Sequence, residues 1–424
     1  MTFEKTDPQI KVINELTLDP RIVIAGGGNF SVKDGNLMII KASGSFMPNM
    51  SRGNMAVVKR DTLEQAIDHH YSKIPNDREA EYKDFLIRSK VDPQAGRPSV
   101  ETAVHHLMNG KYVLHTHATV LTSLTSKIGL NAIAPRLLGD DYIIMDFLDP
   151  GILLGKEAKR LFAEYGPKQK LVQRNHGIFY TADSIGELID MHNKDVEAVG
   201  DFFKKNIARD DYSVKPFGEP VEQFGNDHGK IDYREIMKAI YRGTFGEEPQ
   251  NPKFTDEKIE DNLHAIKMET KKGVVYFSTE GLAQQYAESS LAQRDAGRFS
   301  WLTPDHIVYM GKHNDYIHIN EPLKADRTIE EVASQIKRYE ADLCSRVFVI
   351  GGVGIATVAG HHPKDDRIEP IARYAMQGTN DALLVYQATG ASGGWNFLTP
   401  ANADFIHNWE VEDARRITAQ KQRS

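Results

Sequence analysis

Three histidines and one glutamate hold most of the chemistry this sequence offers. In LHTHA, His115 and His117 end an apolar run, Tyr112–Thr116. Side chains alternate along a strand, so residues two apart share a face and both imidazoles project to the same side. A third ligand can come from NHG, where His176 follows a second apolar run, Lys170–Gln173. Three imidazole nitrogens with an open fourth position are the arrangement of a catalytic rather than a structural zinc site. Neutral imidazole also suits other divalent transition metals. The chain has 16 histidines, and an isolated HxH is more often incidental than metal-binding. Its surroundings therefore decide.

Glu101 stands fourteen residues before His115, in RPSVETAVHH. Ser99 can cap a helix starting there, which puts Glu101 in the first turn and His105 on the same helical face. A solvated glutamate at a helix start is the ordinary reading, since acids suit the positive end of the helix dipole. A general base beside a metal is the functional one. Two glycine turns lie upstream, AGGGNFS (Ala25–Ser31) and ASGS (Ala42–Ser45). Such turns expose backbone N–H groups that can cradle an anion, although a hairpin turn explains each equally well. Neither carries GK[ST] or GxGxxG, so neither is a P-loop or a dinucleotide fingerprint. Lys41, Arg52, Lys59 and Arg60 are candidate cations for an anionic substrate, with surface charge as their default role.

The elements that must position these residues alternate β-branched runs with helical periodicity, which reads as α/β. Strands are expected at Ile22–Ala25, Leu37–Lys41, Ala56–Lys59, Tyr112–Thr116, Ile143–Asp146 and Lys170–Gln173. Helices are expected at Asp61–His69, Val100–Met108, Lys156–Tyr165 and Ser184–Lys205. From Asp210 to Asp232 the chain turns polar and rich in Gly and Pro, a linker signature. The expected division is a catalytic domain at 1–225 and a smaller α/β domain at 226–424. In the latter, strands are expected at Val274–Ser278, His306–Met310, Tyr316–Ile319 and Val347–Ile350, and a helix near Ile329–Arg346. VFVIGGVG, Val347–Gly354, runs a strand into glycines, but Thr357 stands where a third fingerprint glycine belongs, so a structural turn is the better reading. His361 and His362, with Asp365 and Asp366 nearby, read as a solvated loop.

The chain has 424 residues, 40% of them hydrophobic and 26% charged, and carries a net charge of -7. Length suggests two domains. The acidic balance argues against a nucleic-acid binder. No run of about 18 apolar residues appears, so no membrane span is expected. Cys344 is the single cysteine, which excludes an intramolecular disulfide and a cysteine-rich zinc site. The start, MTFEKTDPQI, has no secretory pattern, and a cytoplasmic protein is expected.

Taken in order, GGGNFS, KASGS, RPSVE, LHTH, DPG and QRNHG resemble the motif series of the class II aldolase/adducin family. The series spans roughly residues 20 to 200. The resemblance implies a three-layer α/β/α fold, a four-fold symmetric homo-tetramer and a sugar or sugar-phosphate substrate. It implies zinc on His115, His117 and His176, a catalytic role for Glu101, and phosphate-binding loops at Gly28, Asn29, Ser43, Gly44 and Ser99. WLTPDHIVY, RVFVIGGVGIATVAG and DFIHNWEVEDARR resemble the long form of the family, the aldolase portion of bifunctional rhamnulose-1-phosphate aldolase/alcohol dehydrogenases. In that form a short-chain dehydrogenase domain follows at about the point where this chain stops. The implied reaction is cleavage of a ketose, such as rhamnulose 1-phosphate, into dihydroxyacetone phosphate and an aldehyde through a metal-stabilised enediolate. Two positions depart from the short-form pattern. Val100 replaces a second serine before the glutamate, and Phe147 takes the place of a proton-donating tyrosine. Family dehydratases and decarboxylases share the three histidines, epimerases usually carry aspartate in place of Glu101, and adducin-like scaffolds lack the histidines.

Overall fold

The computed structural model describes residues 3–207, 233–260, 263–278, 281–312, 314–318, 325–336, 346–360 and 371–408. Met1–Phe202 and Phe203–His407 fall into two compact units, with Asn408 grouped with the first. The linker expected at Asp210–Asp232, together with Ile319, Cys344, His361, His362, Asp365 and Asp366, lies outside the described residues.

The strands of the first unit are β1 (Asn29–Asp34), β2 (Leu37–Lys41), β3 (Met55–Lys59), β4 (Tyr112–Thr116), β5 (Tyr142–Met145), β6 (Lys170–Gln173) and β7 (Ile178–Ala182). They form one seven-stranded sheet in the order β3-β2-β1-β4-β7-β6-β5. Every neighbouring pair is antiparallel except β5–β6. Its helices are α1 (Asp7–Leu16), α2 (Arg60–Asp68), α3 (Pro75–Ser89), α4 (Thr102–Leu107), α5 (Thr119–Thr125), α6 (Leu130–Leu138), α7 (Ile152–Tyr165) and α8 (Ile185–Ile207).

Strand β4 is buried along its whole length, as a central strand covered on two faces should be. Val113 packs with Val104 of α4, Leu154 of α7 and Phe179 of β7 on one face. The opposite face meets α8, where His192 Nε2 lies 3.2 Å from Thr116 Oγ1. A second cluster extends the first face to the β2–β3 edge, with Met38, Ile40 and Val58 against Leu63 of α2 and Leu86 of α3. The result is the expected α/β/α layering. Helix α7 starts at the DPG turn, where Glu79 of α3 accepts the Ile152 N–H at 3.3 Å and so satisfies a donor that no helical carbonyl can reach.

The second unit has a six-stranded sheet ordered β11-β12-β13-β10-β9-β8. Its strands are β8 (Lys253–Glu260), β9 (Leu263–Glu269), β10 (Gly273–Ser278), β11 (Asn314–Ile317), β12 (Arg346–Ile350) and β13 (Gly354–Gly360). Its helices are α9 (Tyr233–Phe245), α10 (Gly281–Ala287), α11 (Ser290–Asp295), α12 (Pro304–Met310), α13 (Ala325–Gln335), α14 (Ala372–Ala391) and α15 (Pro400–Asn408). Alternation along β12 sends Phe348 and Ile350 into a core with α9 and α13, and Val347 and Val349 into a core with α10 and α14. This unit is also mixed α/β.

Three sequence expectations fail. Ile22–Ala25 is not a strand: the run is a turn, with Ala25 at φ +46° and Gly27 N–H bonding the Ile24 carbonyl at 2.8 Å. His306–Met310 is helical because Thr303 caps it, accepting the His306 N–H at 3.2 Å, and Pro304 fits its first turn. The helix expected through Arg346 is α13, which ends at Gln335, while Arg346 opens β12.

Candidate metal centre

His115 and His117 leave β4 at its C-terminal end, and His176 sits in the turn between β6 and β7. The antiparallel pairing of β4 with β7 brings that turn beside them, with Thr116 opposite Ile178. Gly177 makes the approach feasible. A Cβ there would collide with the Thr116 carbonyl oxygen and lie 3.1 Å from both His115 Cε1 and His117 Cδ2. Asn175 takes a left-handed φ of +54°, a conformation that asparagine tolerates better than most residues, and its N–H bonds the Thr125 carbonyl at 3.1 Å.

Glu101 completes the group. It is the last residue before α4, and its own N–H bonds Ser99 Oγ at 3.2 Å. One ligand atom from each of Glu101, His115, His117 and His176 lies within 4.8 Å of all the others, and the four side chains are buried. His115 Nε2 is 2.9 Å from His117 Nε2 and 3.3 Å from Glu101 Oε1, and His176 Nε2 is 3.5 Å from the same oxygen. A tetrahedral ion with metal–nitrogen bonds of about 2.0–2.1 Å separates its ligand atoms by about 3.3 Å. The spacing therefore fits a single divalent ion.

The protonation states fit as well. His115 Nδ1 lies 3.1 Å from the Ile178 carbonyl, which can only accept. That bond puts the proton on Nδ1 and leaves the Nε2 lone pair facing the group, the usual orienting device behind a metal-bound histidine. Burial pushes the His115 imidazole below its ordinary range, against the pull of Glu101. Burial opposes ionisation of Glu101 too, but His115, then His176 and His117, outweigh it and hold the carboxyl well below the usual carboxylate range. A charged carboxylate suits a cation, and a bound cation would supply the positive charge that protonated imidazoles otherwise bring to this water-poor group.

Around this group, the cross-strand partner of His115 is Asn29. Its Nδ2 donates to Glu101 Oε2 and, at 2.8 Å, to Ser99 Oγ. Gly28, at φ +65°, is pressed so closely that a Cβ would lie 2.6 Å from Met47 Sδ and 2.9 Å from the His115 carbonyl oxygen. Ser43 and Gly44 follow β2, Gly44 at φ +82°. Its neighbour Ser43 is bonded to Arg97, whose guanidinium reaches Ser43 Oγ at 2.8 Å. His105 is not in the group of four: its Nδ1 meets Ser31 Oγ at 2.8 Å, and burial pushes its pKa down to about 3. Three of the cations singled out in the sequence have other partners: Lys41 donates to the Gly26 and Ser45 carbonyls, Arg52 pairs with Asp7, and Arg60 meets Gly35 and His106. Sequence reasoning missed the Asn29–Glu101 bond and Arg97. The first joins residues 72 apart with no periodic signal between them.

The glycine run Gly351–Gly354 closes an antiparallel hairpin, with Ile350 paired to Gly354. A dinucleotide turn would lead into a helix N-terminus instead. Its N–H groups are also engaged, Gly351 with Ile317 and Gly352 with Ala287.

Residues 10–193 match the Class II Aldolase and Adducin N-terminal domain, and this part of the chain is a domain of that kind. Over 162 residues the chain is 26% identical to YuxG, an uncharacterized oxidoreductase of Bacillus subtilis (strain 168), a match covering 36% of this chain and 23% of YuxG. The match thus spans about a quarter of that relative. Among solved structures, the N-terminal class II aldolase domain of a conserved protein from Thermoplasma acidophilum is 25% identical, with a TM-score of 0.40, covering 48% of this chain and 93% of the other. L-fuculose-1-phosphate aldolase from Thermus thermophilus is 14% identical, with a TM-score of 0.33, covering 47% and 94%. No helix among the described residues is long and apolar enough to cross a membrane.

Proposed function

We propose that the chain is a metal-dependent aldehyde-lyase that cleaves a ketose 1-phosphate, such as rhamnulose 1-phosphate, into dihydroxyacetone phosphate and an aldehyde. The observation that carries this reading is the buried convergence of His115, His117, His176 and Glu101 within a class II aldolase/adducin domain. The three imidazoles hold a divalent ion, with zinc favoured by the histidine-rich set. When bound, the ion supplies Lewis acidity to the substrate oxygens.

Glu101 moves the proton at C3. In cleavage the Glu101 carboxylate takes the C4 hydroxyl proton as the C3–C4 bond breaks, and the resulting carboxyl delivers that proton to C3. In synthesis its carboxylate takes that proton from dihydroxyacetone phosphate. Asn29 holds one carboxylate oxygen, so the other faces the imidazoles. Burial of all four side chains keeps water from competing for the proton. A homo-tetramer is the assembly that accompanies this reading.

A panel of ketose 1-phosphates and free ketoses, with coupled detection of dihydroxyacetone phosphate, tests the proposal. Release from at least one phosphorylated ketose is expected. A metal-loaded protein active on none would move the assignment to a dehydratase or decarboxylase. That second reading has one observation in its favour: Phe147, half-buried before the DPG turn, has no proton to donate.

A further inference from the structure

The two sheets share more than a mixed topology. With β3 set aside, the strands of the first unit lie in the order β2-β1-β4-β7-β6-β5, and those of the second in the order β8-β9-β10-β13-β12-β11. In both rows every neighbouring pair is antiparallel except the last, β5–β6 and β11–β12. We infer that the second unit repeats the metal-binding part of the first and keeps its ligand positions without the ligands, a latent divalent-ion site filled with apolar side chains. The inference rests on the three-histidine reading above.

Registers and backbone hydrogen bonds fix the correspondence residue by residue. Met145 ends β5 opposite Gln173, and Ile317 ends β11 opposite Ile350. The next residue bonds back to that strand end in each unit, Arg174 N–H to the Met145 carbonyl and Gly351 N–H to the Ile317 carbonyl, both at 3.0 Å. The residue after it has a left-handed φ, +54° at Asn175 and +73° at Gly352. Its N–H reaches the last residue of a helix in each case: Asn175 bonds the Thr125 carbonyl of α5 at 3.1 Å, and Gly352 bonds the Ala287 carbonyl of α10 at 2.8 Å. His176 or Val353 follows, and then Gly177-Ile178 or Gly354-Ile355. Ile178 pairs with Thr116, and Ile355 with Ser278. Three residues beyond those partners a seven-residue helix starts, α5 at Thr119 and α10 at Gly281. No insertion interrupts any of these segments. The match is demanding, because a slip of one residue would turn every strand side chain to the other face.

The same count places the ligand positions. His115 corresponds to Phe277, and His176 to Val353. His117 corresponds to Thr279, which lies outside the described residues. Phe277 and Val353 are buried together in the core that holds Phe348 and Ile350 against α9 and α13. Two of the three positions therefore still converge, as His115 and His176 do in the first unit. Neither of their side chains offers a lone pair to an ion, so the backbone is kept while the donor set is gone.

Two measurements on the full chain test this. In an experimental structure, residues 274–287, 314–317 and 347–359 should overlay 112–125, 142–145 and 170–182 without a gap. An offset of one residue in either ligand-bearing segment would overturn the repeat. Cobalt(II) loading then reads the ligand positions, in a His117→Ala background that removes the site of the first unit. Adding Phe277→His, Thr279→His and Val353→His should raise bound cobalt from little or none to close to one ion per chain, with the visible absorption of tetrahedral cobalt(II). A folded variant that binds none would overturn the latent site, and so would two ions per wild-type chain. Should circular dichroism show that variant unfolded, Thr279→His with Val353→His alone should still bind cobalt more tightly than the His117→Ala parent, and equal affinity would overturn the site. The outcome is separable from the metal reading of the first unit. A wild type that binds no ion sinks that reading, whereas a failed overlay with one ion bound sinks only this inference.

Discussion

The seven-stranded sheet of the first unit and the six-stranded sheet of the second both bury apolar side chains, yet the first adds a buried polar cluster of a different kind. In the second unit, buried charges at the core are met by their complements. Asp295 accepts from Arg294, Arg298 and the Tyr386 hydroxyl, and His306 Nε2 meets Asp381 Oδ2 at 2.7 Å. The first unit has such a pair too, Lys170 with Asp195 at 2.7 Å, but it also gathers three imidazoles and a carboxylate oxygen on one point. Complementary pairing satisfies a fold by itself. Three imidazoles and a carboxylate on one point are the donor set a positive ion needs, which is why the convergent group reads as function and the paired ones as architecture.

Substitutions on each side sharpen this contrast. The largest effect is expected at Glu101. Glu101→Gln should lose on the order of 10²–10⁴-fold in turnover while keeping fold and metal content, because it removes proton transfer and little else. Dihydroxyacetone phosphate release measured at saturating substrate checks this, and unchanged turnover would remove Glu101 from the mechanism. Asp295→Asn should act on stability alone, costing about 1.5–3 kcal/mol from charge-assisted hydrogen bonds and leaving metal content intact. Burial raises the Asp295 pKa, but bonds from Arg294, Tyr386 and Arg298 prevail and hold it below the ordinary value. Its stabilisation is therefore present above the unfolded pKa of about 3.9 and is lost as pH falls through the lower folded value. Urea unfolding from pH 6 to pH 3 should show that acid-side slope in wild type and a shallower one in the variant. Gly177→Ala, smaller still, forces a methyl against Thr116 and two of the histidines. We expect about 1–3 kcal/mol of overpacking strain, with faster metal loss to a chelator. Metal retention equal to wild type would mean that the turn adjusts and Gly177 does not position His176.

How much of this was legible in the sequence depends on the range over which each signal acts. Period-two spacing was enough to place His115 and His117 on one face, and their rings do lie 4.7 Å apart between centroids. The β4 and β6 strands were legible because both are short, largely apolar and buried on both faces. Ile22–Ala25 looked the same locally, but the chain turns there, and hydropathy alone carries no information on a φ of +46° at Ala25. His306–Met310 misled for a related reason. Its β-branched residues suggested a strand, while the Thr303-Pro304 capping signal, present in the sequence, went unread. Arg97 and the Asn29–Glu101 bond depend on contacts between segments 54 and 72 residues apart, which no local pattern encodes.

The central claim is that one divalent ion sits on three histidines of the first unit. Metal analysis of the purified full chain, wild type beside His117→Ala, tests it most directly. The account predicts close to one divalent transition-metal ion per chain in wild type and little or none in the variant, with both proteins folded by circular dichroism. Full occupancy in His117→Ala, or a wild type that binds no such ion after loading and desalting, would contradict it.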